Sequence, residues 1–235
     1  MLKSLIIEAV DRLGKGTLIS GLKNKLDYFN VIHYQKPELL DYFKEKAQQE
    51  LNSKFGLADP DIRTLTIKKY QERSFSDMFK MLSHPTIKFL MDRGHLGENV
   101  YAHRYRNYSG EYVFDLEQKL RTNDSDCFSN STLLVLLITS SFEFIKDDGL
   151  SFDFSKKEEE QVDFIKSFNR SIIKHKLMID VHDGEGKFVP PEDILKAVIY
   201  AYNELENLSY QTLHITWHRD KGNLFRDDLL IENKR

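Results

Sequence analysis

Residues 6–22, IIEAVDRLGKGTLISGL, gather the side chains best suited to chemistry on phosphates. Asp11, Arg12, Lys15 and Thr17 stand close together around Gly14 and Gly16. The stretch follows the phosphate-loop pattern G-x-x-x-x-G-K-S/T, with Ala9 at the first glycine and Gly16 at the hydroxyl position. Successive backbone N–H groups of Arg12, Leu13, Gly14, Lys15, Gly16 and Thr17 would wrap an anion where a helix dipole also favours it. Lys15 would reach the transferring phosphate, and Thr17 would offer a hydroxyl near the phosphates or a hydrated Mg²⁺. Arg12 presents a planar donor fork that suits phosphoryl oxygens and would stabilise charge spreading over a transferred group. Ala9 serves nearly as well as glycine unless the backbone there requires a positive φ. The bland alternative is a strand–turn–helix corner with a solvated lysine, which would gain little from gathering Arg12 and Lys15.

A second cluster lies in TIKFLMDRGHLGENVYAHRYR (86–106), where a short apolar run ends in Asp92-Arg93. A carboxylate at the carboxyl end of a parallel strand, beside the loop strand, sits where ligands of an open α/β sheet gather. Asp92 would organise Mg²⁺ through its waters, and Arg93 would clamp a substrate phosphate. Other stretches carry less. WHRDKGN (217–223) echoes a protein-kinase catalytic loop with the wrong spacing. HDGE (182–185) reads as a polar turn, and His95 and His103 as pocket-wall or polar-face residues. Asp180 reads as structural.

The elements that must position these groups are visible as alternation. Five apolar runs recur at 4–9, 30–35, 86–92, 131–140 and 176–181, several of them near-continuous, as in strands covered on both faces. Between them, 20–27, 38–51, 59–82 and 157–174 carry spaced apolar residues with few breakers. Strand and helix in alternation predict an α/β fold with a five-stranded parallel sheet between helical layers. The charge run SKKEEEQ (155–161) reads as a solvated helix start. Beyond about Ser209, alternating TLHITWH reads as an added strand or hairpin. The composition, 40% hydrophobic and 30% charged, is that of a globular protein. A net charge of −3 argues against general nucleic-acid binding. Cys127 is the single cysteine, which excludes an intrachain disulfide and suits a reducing, cytoplasmic setting. LLVLLI (133–138) is too short to span a bilayer.

IIEAVDRLGKGTLISGL resembles the start of the thymidylate kinases, whose pattern runs roughly E-G-x-D-R/G-x-G-K-S/T-T. Its Lys-Gly-Thr form is similar to the phosphate loop of adenylate kinases. The Asp92-Arg93 segment is similar to the family's D-R-Y-x-x-S-x-x-A-Y, with Gly94 and Gly97 replacing an aromatic and a serine and Tyr101 keeping the later aromatic. The resemblance covers roughly residues 4–204. It implies a P-loop three-layer α/β/α kinase domain over 1–208, with 209–235 as a C-terminal extension of that domain. It further implies transfer of the γ-phosphoryl group of Mg·ATP to a deoxynucleoside monophosphate, dTMP or a related pyrimidine nucleotide. Arg73 would grip the acceptor, Tyr70 would stack on its base and Lys36 of HYQKP would hold its phosphate. Asp11 would bind the sugar hydroxyl or shape the acceptor side. The lid falls at 142–161, has no arginine and carries Lys156 and Lys157, which agrees with Arg12 as the catalytic arginine inside the loop. A homodimer is the family precedent. Ala9, Gly94 and Gly97 mark a divergent member, with a viral source and a modified pyrimidine acceptor among the expectations. Two alternatives stand beside it. One is a deoxynucleoside kinase, with Glu8 as the carboxylate base a sugar hydroxyl needs. The other is a P-loop protein that binds nucleotide without turnover.

Overall fold

The computed structural model describes residues 4–26, 29–34, 60–84, 86–121, 127–147, 153–207, 213–220 and 223–230. Lys36 and the helix expected at 38–51 lie outside the described residues. Seven strands form one sheet: β1 (Ser4–Ala9), β2 (Asn30–His33), β3 (Phe89–Asp92), β4 (Thr132–Ile138), β5 (His175–Asp180), β6 (Leu213–Asp220) and β7 (Asn223–Leu230). Their order is β2-β3-β1-β4-β5-β6-β7. Every neighbouring pair from β2 to β6 is parallel, and only β7 runs antiparallel. The five expected strands are all present and form the parallel part as far as β5. The stretch beyond Ser209 adds the sixth and seventh, the strand and hairpin its alternation suggests.

Burial follows from position in this order. β1 and β4, the central pair, are covered on both faces and therefore apolar almost without interruption. β2 lies at the edge and is largely exposed. The helices divide between the two faces. α1 (Lys15–Lys25) packs with α7 (Pro191–Asn207) on one. α2 (Pro60–Leu82), α3 (His95–Tyr105), α4 (Tyr112–Arg121) and α6 (Lys157–Arg170) pack on one another, and α5 (Cys127–Ser131) leads into β4. The result is the three-layer α/β/α sandwich expected from the alternation. Among the described residues no helix is long and apolar enough to cross a membrane.

The carboxyl ends of β1 and β3 matter most for chemistry. They pair in register, with Ile7 opposite Asp92, so the residues leaving both strands emerge side by side. β4 flanks β1 on its other side and ends at Ile138, ahead of the segment expected to be a lid. One charge run departs from its expected surroundings. SKKEEEQ does start a helix, α6, but Lys157 and Glu160 within it are buried and paired, 2.9 Å apart.

Candidate active site

β1 runs out at Ala9, and the chain turns through Asp11–Gly14 into α1. Arg12 and Gly14 both take positive φ, 82° and 79°. For glycine this is cheap; for arginine it is a sparsely populated backbone state, of the kind found where a loop is held for function. Ala9 is a strand residue and is not among those with positive φ, so the missing first glycine removes no conformational freedom that the loop uses. Gly14 caps α1 and, as glycine, brings no side-chain cap to the helix's first turn. A helix of 11 residues thus presents its positive end to the space above the loop, the setting in which phosphates bind. An opening of about 590 Å³ lies beside it, between Arg12 and Thr17 on one side and Phe188, Val189, Pro191 and Ile194 on the other.

Lys15 reaches across from α1 to the end of β3, where its ammonium pairs with Asp92 Oδ1. The other Asp92 oxygen meets His33 Nδ1 at 2.6 Å, at the end of β2. Burial pushes the Asp92 carboxyl up, but the hydrogen bonds and charges of Lys15 and His33 outweigh it and hold it below its ordinary value. The carboxylate is thus kept ionised beside the phosphate loop. Arg93 follows in the left-handed region, at φ 71°. Its backbone N–H donates to Ile7 O at 3.1 Å, and its guanidinium donates to Asp11 Oδ1 at 3.4 Å. The loop acid and the strand-end arginine therefore meet directly. Lys157 of α6 lies 4.0 Å from the second Asp11 oxygen.

Below this charged rim a cleft of about 440 Å³ opens between β1, α2 and α3. Asp11, Arg93 and Glu8 line it, together with Gln71 and Phe75 of α2 and Glu98, Tyr101 and Arg106 from α3 and its end. Glu8 is 1% exposed. Its Oε1 accepts from Leu96 N at 3.0 Å and Gly97 N at 3.3 Å, at the amino end of α3. Burial raises its carboxyl pKa against the opposing pull of His95, the Gly97 and Leu96 N–H groups and Lys15. Gly94 makes this fit possible, because a Cβ there would come within 2.7 Å of Ile6 Cγ2 and 3.1 Å of Glu8 Oε1. Tyr101 is 7% exposed, and its hydroxyl has no partner among the described residues. A buried phenol facing a cleft in this state has its hydrogen bond left to make with what the cleft holds.

No protein-family model matches the chain, and no curated protein sequence matches it. Solved structures do. The YorR protein of Bacillus subtilis, determined in complex with phosphorylated GDP, is 15% identical with a TM-score of 0.55, over 88% of this chain and 99% of that one. Thymidylate kinase of Candida albicans is 14% identical with a TM-score of 0.50, over 98% of both chains. The fold is that of the P-loop nucleotide kinases. At these identities the likeness speaks for the fold, and the site has to be read from its own side chains.

On this P-loop kinase fold the residues singled out in the sequence separate into three groups. Asp11, Arg12, Leu13, Gly14, Lys15, Gly16 and Thr17 form the loop and the first turn of α1, and Asp92 and Arg93 join them from β3. Tyr101 reaches the cleft from α3. Tyr70 and Arg73, by contrast, stand on the exposed side of α2, Tyr70 at 41% exposure. The same helix turns Gln71 and Phe75 to the cleft instead, one turn apart. Those two, with Glu98, Arg106, Tyr34 and Phe164, are the cleft residues that motif reasoning passes over. The lesser readings resolve as turn and scaffold. Asp183 accepts from Glu185 N at 2.7 Å and Lys187 N at 2.9 Å, making the HDGE segment a polar turn. Asp180 accepts from Ser140 N at 3.2 Å and His182 N at 2.9 Å, tying β4's end to β5's. His95 is fully buried against Glu117, 2.8 Å away, and His103 is exposed.

Proposed function

We propose that this protein is an ATP-dependent nucleoside monophosphate kinase. It passes the γ-phosphoryl group of Mg·ATP to the phosphate of a deoxynucleoside monophosphate, dTMP or a related, modified pyrimidine nucleotide. The observation that carries this reading is the meeting of Arg93 with Asp11 between the cleft and the phosphate loop. An acceptor seated in the cleft would bring its phosphate to that guanidinium and so toward Lys15. A phosphate acceptor is already an oxyanion and needs no general base, so positioning and charge neutralisation suffice. When the phosphates arrive, Lys15 exchanges the Asp92 carboxylate for the transferring group, and Arg12 adds a second cation at the loop. Thr17 and Asp92 fit Mg²⁺ as hard oxygen donors, with Asp92 kept ionised and acting through water. The ion supplies charge neutralisation at the phosphates when bound. Asp11 and the orphan Tyr101 hydroxyl face the acceptor sugar. Lys36 remains a proposed phosphate contact, and Tyr70 and Arg73 would serve the acceptor only from the outer face of α2. A cytoplasmic setting suits the single cysteine, the departures at Ala9, Gly94 and Gly97 suit a divergent member such as a viral one, and family precedent suggests a homodimer.

One observation favours a second reading. Glu8 lies in the cleft with a raised pKa, as a base for a sugar hydroxyl would. ADP release measured over a panel of nucleoside monophosphates and nucleosides separates the two. Release dependent on monophosphates is expected. Turnover with nucleosides alone would transfer the role to Glu8, and ATP binding with no turnover on any acceptor would leave a nucleotide-binding protein.

A further inference from the structure

Asp92 has one partner on each carboxylate oxygen, and the proposed reaction calls one of them away. Oδ1 holds the Lys15 ammonium, the group that turns to the phosphates when they arrive. Oδ2 holds His33 Nδ1 at 2.6 Å. The strand order β2-β3-β1 sets these partners on opposite sides of Asp92, the phosphate loop on one and the sheet edge on the other. Of the two bonds, the one to His33 is left when Lys15 moves.

The backbone makes this bond a built feature of the sheet. His33 and Asp92 stand directly opposite each other in the parallel β2–β3 pair. The ladder runs one residue further, where Tyr34 N donates to Asp92 O at 3.0 Å. The Tyr34 hydroxyl then donates to Ser74 O of α2 at 2.9 Å, and its ring stacks on Phe75, centroids 5.3 Å apart. The end of a largely exposed edge strand is thus stapled to β3 and to α2. The imidazole is half exposed, but it starts from a fixed backbone and reaches a carboxylate that is 16% exposed. Surface ion pairs are worth little chiefly because two long side chains must be ordered. Histidine and aspartate are short, and here their backbones are already paired. An ionised carboxylate only accepts, so Nδ1 carries the proton of this bond. The terminal torsion of aspartate is broad and roughly two-fold. A bond at Oδ2 restrains that torsion and keeps Oδ1 turned toward the loop. Hydrogen-bond partners behind a carboxylate that serves a metal ion help to set the ion's affinity.

We infer that His33 is a positioning residue: by holding Asp92 Oδ2 it keeps Oδ1 facing the phosphate loop, available to the waters of a divalent cation once Lys15 has moved. The inference rests on the proposed nucleotide kinase reading. The test is Mn²⁺ binding, followed by electron paramagnetic resonance, to the protein with a non-hydrolysable ATP analogue. Wild type, His33→Ala and His33→Asn are compared, since the asparagine Nδ2 can donate where Nδ1 did. Affinity for the analogue without metal and the thermal midpoint are measured alongside. His33→Ala is expected to weaken Mn²⁺ binding by about tenfold, the low end of the loss when such a partner is removed. His33→Asn should recover most of that loss, and metal-free analogue affinity and midpoint should stay unchanged in both. Equal Mn²⁺ affinity in wild type and His33→Ala would overturn the inference and leave the kinase reading standing. His33→Asn as weak as His33→Ala would tie the effect to the ring rather than the bond and overturn it too. Weaker metal-free analogue binding with a lowered midpoint would make the role structural, with the same consequence. A wild type that binds no analogue would remove the kinase reading and the inference with it.

Discussion

At the residue scale, the phosphate loop is where sequence and structure agree most closely, because its chemistry is local. In the proposed role Gly14, Lys15 and Thr17 would act through backbone geometry and reach, which a short motif specifies. The Lys15–Asp92 pair is long-range and was not read from the sequence, which sends Lys15 to a phosphate and Asp92 to Mg²⁺ and leaves no local trace of their meeting. Lys15→Ala should lower kcat by about 10²–10³-fold, the usual loss of one preorganised donor to a developing charge. A coupled ADP assay checks this, and near-normal turnover would remove Lys15 from the chemistry. Gly94 was legible only as a departure from a pattern. The structure gives it a reason: Ile6 and Glu8 occupy the space a side chain would need. Gly94→Ala should therefore cost about 1–3 kcal/mol, the range for overpacking a filled site. Urea titration would show this as a lower midpoint at unchanged slope.

At the scale of elements, the instructive case is α2. Ile67, Gln71, Phe75, Met78 and Leu82 recur at helical spacing, and all five are buried. Four are apolar, so the phase of the helix was written in the sequence, and Gln71 was the single polar residue on its buried stripe. Choosing Tyr70 and Arg73 by motif distance missed this phase by about one residue, enough to turn a side chain away from the cleft. The buried partners of α3 were harder to see. His95 and Glu117 come from different helices, and pairing across helices leaves no local trace. Burial pushes the Glu117 carboxyl up, but the His95 charge, the Ser171 hydroxyl and the Ile172 N–H outweigh it and lower its pKa from the ordinary 4.5. A carboxyl lowered on folding contributes stability that is present above pH 4.5 and lost as the pH falls through the folded value. Glu117→Gln should be destabilising at pH 7, and the gap from wild type should narrow in acid. Denaturation across pH 3–7 measures it; a gap independent of pH would contradict the pairing.

At the scale of the whole molecule, alternation of apolar runs and helices was sufficient for the parallel sheet, because a central strand needs no partner-specific signal to be apolar on both faces. It was weaker at the carboxyl end. β6 reads as an alternating strand, but its place beside β5 depends on pairing that no local pattern encodes. Ile215 stands opposite Leu177 there and is buried. Ile215→Ala should cost about 2–5 kcal/mol, as a core truncation rather than a loss in an appendage. A change below that range in thermal or urea unfolding would mean that the added strands ride on the sheet without supporting it. β7 closes the edge with Arg226 and Asp227, charges that discourage further strand pairing.

Following the label is the most direct measurement of the central proposal. Incubation with γ-labelled ATP and either deoxynucleoside monophosphates or the matching nucleosides, with products separated, shows which atom receives the phosphoryl group. Labelled diphosphate from a monophosphate, with nothing from the nucleosides, is the predicted result. Labelled monophosphate from a nucleoside, with monophosphates inert, would contradict it and make Glu8 the residue to pursue.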